Sequence, residues 1–167
     1  AVEYGDWLTG ADREWHSEGI YNAFADLSDV LGIPHEQVSM NGRLIVALGS
    51  RGSGKAMAHY SPSYRLINMT KASGRGSLAH EWGHFIDNIF YALNNGRASK
   101  DPFLSDLAVK GVTDPRIPIS LQNAMADVMT EIREDVSGGE SRFHIASKAM
   151  GKYWQRPHDQ FARWFEA

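Results

Sequence analysis

Residues 77–87 of this 167-residue chain read Ser-Leu-Ala-His-Glu-Trp-Gly-His-Phe-Ile-Asp and contain His-Glu-x-x-His. Four residues make about one helical turn, so His80 and His84 project from one face, stacked along the axis. Two neutral imidazoles at that spacing can fill two corners of a tetrahedral zinc site. Glu81, beside the first histidine, is then placed as general base toward a water on the metal. The flanks constrain the fold further. Leu78, Ala79, Trp82, Phe85, Ile86, Ile89 and Phe90 make the helix apolar over most of its circumference, the pattern of a buried helix. Two histidines and a glutamate on a buried helix need partners, and a metal is the simplest one. The competing reading, two surface histidines around a solvated glutamate, suits a bare five-residue match better than this one.

The metal question brings in composition. The chain has no cysteine, so it has no disulfide and no thiolate zinc site, and any metal must be held by His, Asp or Glu. Net charge is −3, which gives no electrostatic footprint for nucleic acid or an anionic membrane. The hydrophobic share of 43% and charged share of 22% are those of an ordinary globular protein, and the length suits one domain over 1–167. No apolar run is long enough to span a bilayer and no signal-peptide pattern opens the chain, so a cytoplasmic setting is expected over a secreted one. A start at Ala1 and an end at Ala167 within a helical pattern read as a domain of a longer protein.

Along the chain, 1–10 reads as an irregular lead-in carrying Tyr4 and Trp7. Trp15, Ile20, Tyr21, Phe24, Leu27, Val30 and Leu31 recur at helical spacing over 11–31, and Gly32 and Pro34 stop that helix. Residues 43–48, 57–60 and 65–70 read as short strands. Residues 49–55, Gly-Ser-Arg-Gly-Ser-Gly-Lys, come close to a P-loop. Ala56 replaces the hydroxyl that would hold magnesium, and no helix pattern follows, so a nucleotide site is disfavoured. His59 reads as an edge-strand histidine. Ser77 is the expected N-cap of the His-Glu-x-x-His helix, which runs to about Leu93. A long loop with one short helical turn near 104–109 is expected over 94–118. Ser120 is the expected cap of the next helix, with the glycines at 138 and 139 ending it. Further helices are expected over 143–153 and from Pro157 onward. Helix, then strands, then helices make an α+β fold.

A catalytic zinc usually has three protein ligands and one open position. Asp87 lies on the same helix face as His80 but is too close along the helix to close a tetrahedron; orienting an imidazole or holding the helix suits it better. Asp127, Glu131, Glu134 and Asp135 read as a solvated face. Asp159 falls in the first turn of the last helix, where it can be a ligand or a helix-dipole partner. Spacing alone leaves both open.

Several ordered motifs now carry a resemblance: Gly-Ser-Arg-Gly from Gly49, Ala58-His59-Tyr60, Ile67 to Lys71, Gly76 to His84, and the closing Tyr153-Trp154, Pro157, Phe161-Ala162-Arg163 and Phe165-Glu166-Ala167. Over roughly 43–167 the chain resembles the zincin-type large polyvalent protein-associated domain, which occurs in very large multidomain proteins of phages and conjugative elements. Its two key helices are also similar to those of catalytic domains of the anthrax lethal factor type. The resemblance implies a zincin-like fold: a small, mostly antiparallel or mixed sheet packed on an active-site helix, with further C-terminal helices. By position, the family's third ligand, a glutamate, falls on Asp159, one methylene shorter. The family's oxyanion-donating tyrosine falls at or beside Tyr153, offset by one residue. Such a donor lowers the barrier by meeting developing negative charge. Glu166, on the same face as Asp159, is the alternative ligand.

The sequence therefore leads to the expectation of a zinc metallopeptidase. His80, His84 and Asp159 would hold Zn2+, Glu81 would be the general base, Tyr153 the oxyanion donor, and the substrate a protein or peptide, with no nucleic acid or membrane partner. The alternative is a zincin-like module that binds metal and a protein partner without cutting.

Overall fold

The computed structural model describes residues 1–6, 8–50, 58–70, 76–95 and 103–167. Trp7, the P-loop-like run after Ser50, and residues 71–75 and 96–102, where the sequence predicts loops, lie outside the described residues. The chain forms two compact units, Ala1–Phe85 and Ile86–Ala167. The boundary falls inside one continuous helix. The class is α+β, seven helices and one small mixed sheet among the described residues. No described helix is long and apolar enough to cross a membrane.

The first unit is built on a four-stranded sheet of β1 (Val2–Tyr4), β2 (Ile45–Leu48), β3 (Ala58–Ser61) and β4 (Leu66–Met69), in the order β1-β2-β4-β3. β1, β2 and β4 are parallel, and β3 runs antiparallel to β4. The expected irregular lead-in is thus strand β1. Three residues carry too short a pattern to read, and only pairing with β2 defines them. All four residues of β4 are buried, as suits an interior strand, whereas His59 on edge strand β3 is exposed. Val2, Val46, Ile67 and Tyr60 stand opposite one another across the sheet and so share a face.

Helix α1 (Gly10–Leu31) packs on that face, where Tyr4 Oη lies 2.7 Å from Ser17 Oγ. Its start is fixed by a capping box in which Thr9 and Asp12 each bond the other's backbone N–H, and its end by Gly32 in the left-handed region. The short α2 (His35–Val38) follows. Gly5 closes β1 against the turn after β2, where a Cβ would stand 2.3 Å from the Gly49 carbonyl oxygen.

Helix α3 (Gly76–Asn95) carries the His-Glu-x-x-His motif, and none of residues 77–92 is exposed. Phe85 is fully buried, with its ring edge-on to Tyr60 at 5.9 Å, and Trp82 Nε1 donates to the Val38 carbonyl at 2.8 Å. Ser77 lies inside the first turn and not at the expected cap, because the helix begins one residue earlier.

In the second unit the latter half of α3 is joined by α4 (Leu104–Lys110), α5 (Ile119–Arg133), α6 (Arg142–Met150) and α7 (Pro157–Glu166). Tyr91, Leu104, Ile117, Met125, Met129, Ile132 and Phe161 form its core. The three α5 members recur at helical spacing. The cap expected at Ser120 is replaced by Pro118, whose fixed φ suits a helix entry without a side-chain bond. α5 stops at Arg133, earlier than the glycines suggest. Asp135 Oδ1 there accepts bonds from Ser137 N, Ser137 Oγ and Gly139 N, and so turns the chain. Ser141 caps α6 by accepting from His144 N.

Candidate metal centre

The two histidines stand on α3 as the 3.6-residue period requires, with ring centroids 4.9 Å apart and nearly perpendicular planes. His80 is half-buried; Glu81 and His84 are buried. Asp159 comes from the first turn of α7, where Pro157 sets the helix entry and only 1% of Asp159 is exposed. His80, His84 and Asp159 each offer one ligand atom, and these atoms lie within 4.8 Å of one another. Two imidazoles and a carboxylate, with no thiolate, form a nitrogen and oxygen donor set that zinc accepts, and three protein ligands leave a fourth position open. The residues present therefore fit the metal that the motif implies.

Two other expected residues, Tyr153 and Glu166, lie just before α7 and at its end. Glu166, the alternative ligand, is the exposed last residue of α7 and is not among the three. Tyr153 lies on the turn between α6 and α7, 49% exposed, with the Arg156 guanidinium 4.8 Å over its ring and Trp154 edge-on at 5.1 Å. Asp127, Glu131, Glu134 and Asp135 are all exposed, as a solvated face would be.

Asp87 is fully buried. Its Oδ1 accepts from Ser105 N at 2.9 Å and its Oδ2 from Ser105 Oγ at 2.5 Å. Ser105 lies in the first turn of α4, so this carboxylate on α3 satisfies a helix N-terminal N–H and ties the two helices together. Burial pushes the Asp87 carboxyl up to about 7, against the two Ser105 bonds that pull it down.

Sequence reasoning passed over His158, and the structure gives it a central place. Its Nδ1 lies 3.1 Å from both carboxylate oxygens of Asp106, and its Nε2 lies 3.5 Å from Asp159 Oδ2. Phe103 stacks on the ring at 4.5 Å. Burial pulls the imidazole pKa down, but the Asp106 hydrogen bond and the charges of Asp106, Asp159 and Asp87 outweigh it and hold it above the ordinary value. Its neighbour Gln160 is fully buried; it accepts from Arg133 at 3.1 Å and lies 2.7 Å from His144 Nδ1. Desolvation, then the nearby Arg133 charge, lowers the His144 pKa. Asp106 and His158 are 52 residues apart, and no local pattern joins them. The only signal in the sequence was a histidine directly before the candidate ligand.

Compared with protein-family models, with curated proteins and with solved structures, the chain matches none.

Proposed function

We propose that this chain is a zinc-dependent metallopeptidase domain. The observation that carries the reading is the convergence of His80, His84 and Asp159, with Glu81 buried beside the first histidine. Zinc held by those three residues would polarise a peptide carbonyl and make a water nucleophilic near neutral pH. Glu81 would take a proton from the attacking water and return it to the leaving amine, the general-base and general-acid work of a carboxylate at this position of the motif. Its burial serves the chemistry, because a carboxylate removed from bulk water interacts more strongly with a nearby cation. Edge strand β3 offers backbone groups along which an extended peptide can pair. The resemblance to zincin domains of phage and conjugative-element proteins supports the same reading.

A Glu81→Gln comparison tests it. Both proteins should bind one zinc per chain, because Glu81 is not a ligand. Only the wild type should cleave members of a broad peptide library. Zinc at a hundred times its Kd should stabilise the wild type by about 2.7 kcal/mol and leave His84→Ala unmoved. A wild-type protein loaded with one zinc that cleaves nothing in the library sinks the peptidase reading.

One observation favours a second reading, a zincin-like module that binds metal and a protein partner without cutting. Tyr153, the expected oxyanion donor, is half exposed, with Arg156 packed on its ring. Under the peptidase reading Tyr153→Phe lowers turnover by about ten- to a thousandfold. Under the second, partner binding persists and there is no turnover to lower.

A further inference from the structure

Asp159 sits in the first turn of α7 between two neighbours that are each anchored to another helix. On one side is His158. Its Nδ1 lies 3.1 Å from both oxygens of Asp106, its ring stacks on Phe103, and its Nε2 approaches Asp159 Oδ2 at 3.5 Å. On the other is Gln160, held by Arg133 of α5 and His144 of α6. The Asp106 end of this chain of contacts is itself anchored. Ser105, the preceding residue, donates its N–H and hydroxyl to Asp87 on α3, three residues beyond His84. Within the second unit, the first turn of α4 therefore ties Asp87, on the latter half of α3, to the helix that carries the candidate third ligand.

We propose that the Asp106–His158 pair is a positioning device that holds the Asp159 carboxylate in place to bind a divalent cation with His80 and His84. The inference rests on the metal-centre reading above. Its physical basis is reach. An aspartate side chain has a single methylene between backbone and carboxylate, so it has few torsions with which to correct a misplaced backbone. A short carboxylate must be brought to the metal by the fold and kept there by its neighbours. His158 does both: its backbone belongs to the same helical turn, and its ring approaches the ligand's own oxygen. Asp106 and Phe103 in turn fix the ring plane. Groups that orient a ligand without touching the metal typically change affinity by about ten- to a hundredfold when removed.

The test is zinc affinity, measured by competition with a chromophoric chelator, for the wild type, Asp159→Ala, His158→Ala, His158→Gln, Asp106→Asn and the double variant His158→Ala with Asp106→Asn. Thermal melting of each metal-free protein separates affinity from folding. His158→Ala and Asp106→Asn should each weaken zinc about ten- to a hundredfold at temperatures where the metal-free protein is folded. The double variant should lose no more than the weaker-binding single, because the two residues act through one chain of contacts. His158→Gln, whose amide can reach Asp159, should recover part of the affinity. With cobalt in place of zinc, the visible spectrum should shift in His158→Ala, reporting an altered ligand geometry that a change in global stability would not produce. Wild-type protein that binds no zinc, or Asp159→Ala that binds as wild type does, overturns the metal centre itself. If Asp159→Ala loses zinc while His158→Ala and Asp106→Asn stay within threefold of wild type, only the positioning role is overturned. Melting temperatures that fall with unchanged affinity overturn that role as well.

Discussion

Replacing Asp87 with asparagine should remove a pH dependence from the stability of the metal-free protein. Asp87 is fully buried on α3, and its pKa is pushed from 3.8 to about 7. A carboxyl raised in the folded state contributes stability that is complete below its unfolded pKa and is lost as pH rises through the folded one. The window is therefore pH 4 to 7. The shift is about 3 units, and at about 1.4 kcal/mol per unit the loss is about 4 kcal/mol as an upper figure. Over most of this range the folded protein keeps the acid neutral. A neutral carboxyl keeps acceptor lone pairs on its oxygens, so the bonds from Ser105 N and Oγ both survive. Asparagine keeps the shape and the acceptor for Ser105 N but has no proton to lose. The assay is urea unfolding of both proteins in a chelator at half-unit steps from pH 4 to 8. Subtracting one profile from the other cancels the other titrating groups. The variant should gain on the wild type steadily with pH, by up to about 4 kcal/mol. With a urea slope of about 2 kcal/mol/M, that is a relative midpoint shift of about 2 M. A flat difference profile, or a variant that loses ground as pH rises, refutes the account of Asp87 as a buried, largely neutral acid.

Other substitutions test the framework. Gly5→Ala puts a Cβ 2.3 Å from the Gly49 carbonyl oxygen, and should cost about 1–3 kcal/mol and lower the melting temperature by several degrees. Phe85→Ala empties the fully buried ring position beside Tyr60 and Trp82; a loss of about 3–5 kcal/mol in denaturant unfolding is expected, and less than 1 kcal/mol would contradict the packing described. Gln160→Leu deprives Arg133 and His144 of their buried partner and should cost about 1–3 kcal/mol, read by thermal melting, with a conservative Gln160→Glu failing to restore wild-type stability because it buries a charge.

Much of this molecule was legible locally. His80 and His84 could be placed on one face because helical geometry repeats within four residues. Burial of their helix followed from the apolar residues around them. The stops at Gly32 and the entry at Pro157 were legible for the same reason: a left-handed φ or a fixed one is a property of the residue itself. Caps were less legible. Ser77 and Ser120 look like caps but are not, while Thr9, which does cap a helix, reads no differently from any other surface threonine. Strand β1 was invisible because three residues have no period, and only β2 beside them makes them a strand.

The candidate metal centre divides along the same line. The motif by itself determined two imidazoles and an adjacent carboxylate on a buried helix, since their relative positions are set by one stretch of backbone. It could not choose between ligand and dipole partner for Asp159, nor between Asp159 and Glu166. That choice depends on tertiary packing, which local sequence does not encode. Tertiary structure alone buries Asp159 and leaves Glu166 in solvent. It also gives Asp87 to Ser105 and brings His158 to Asp106 across 52 residues. Local sequence fixes what a helix presents; only the contacts that close the chain decide what that face meets.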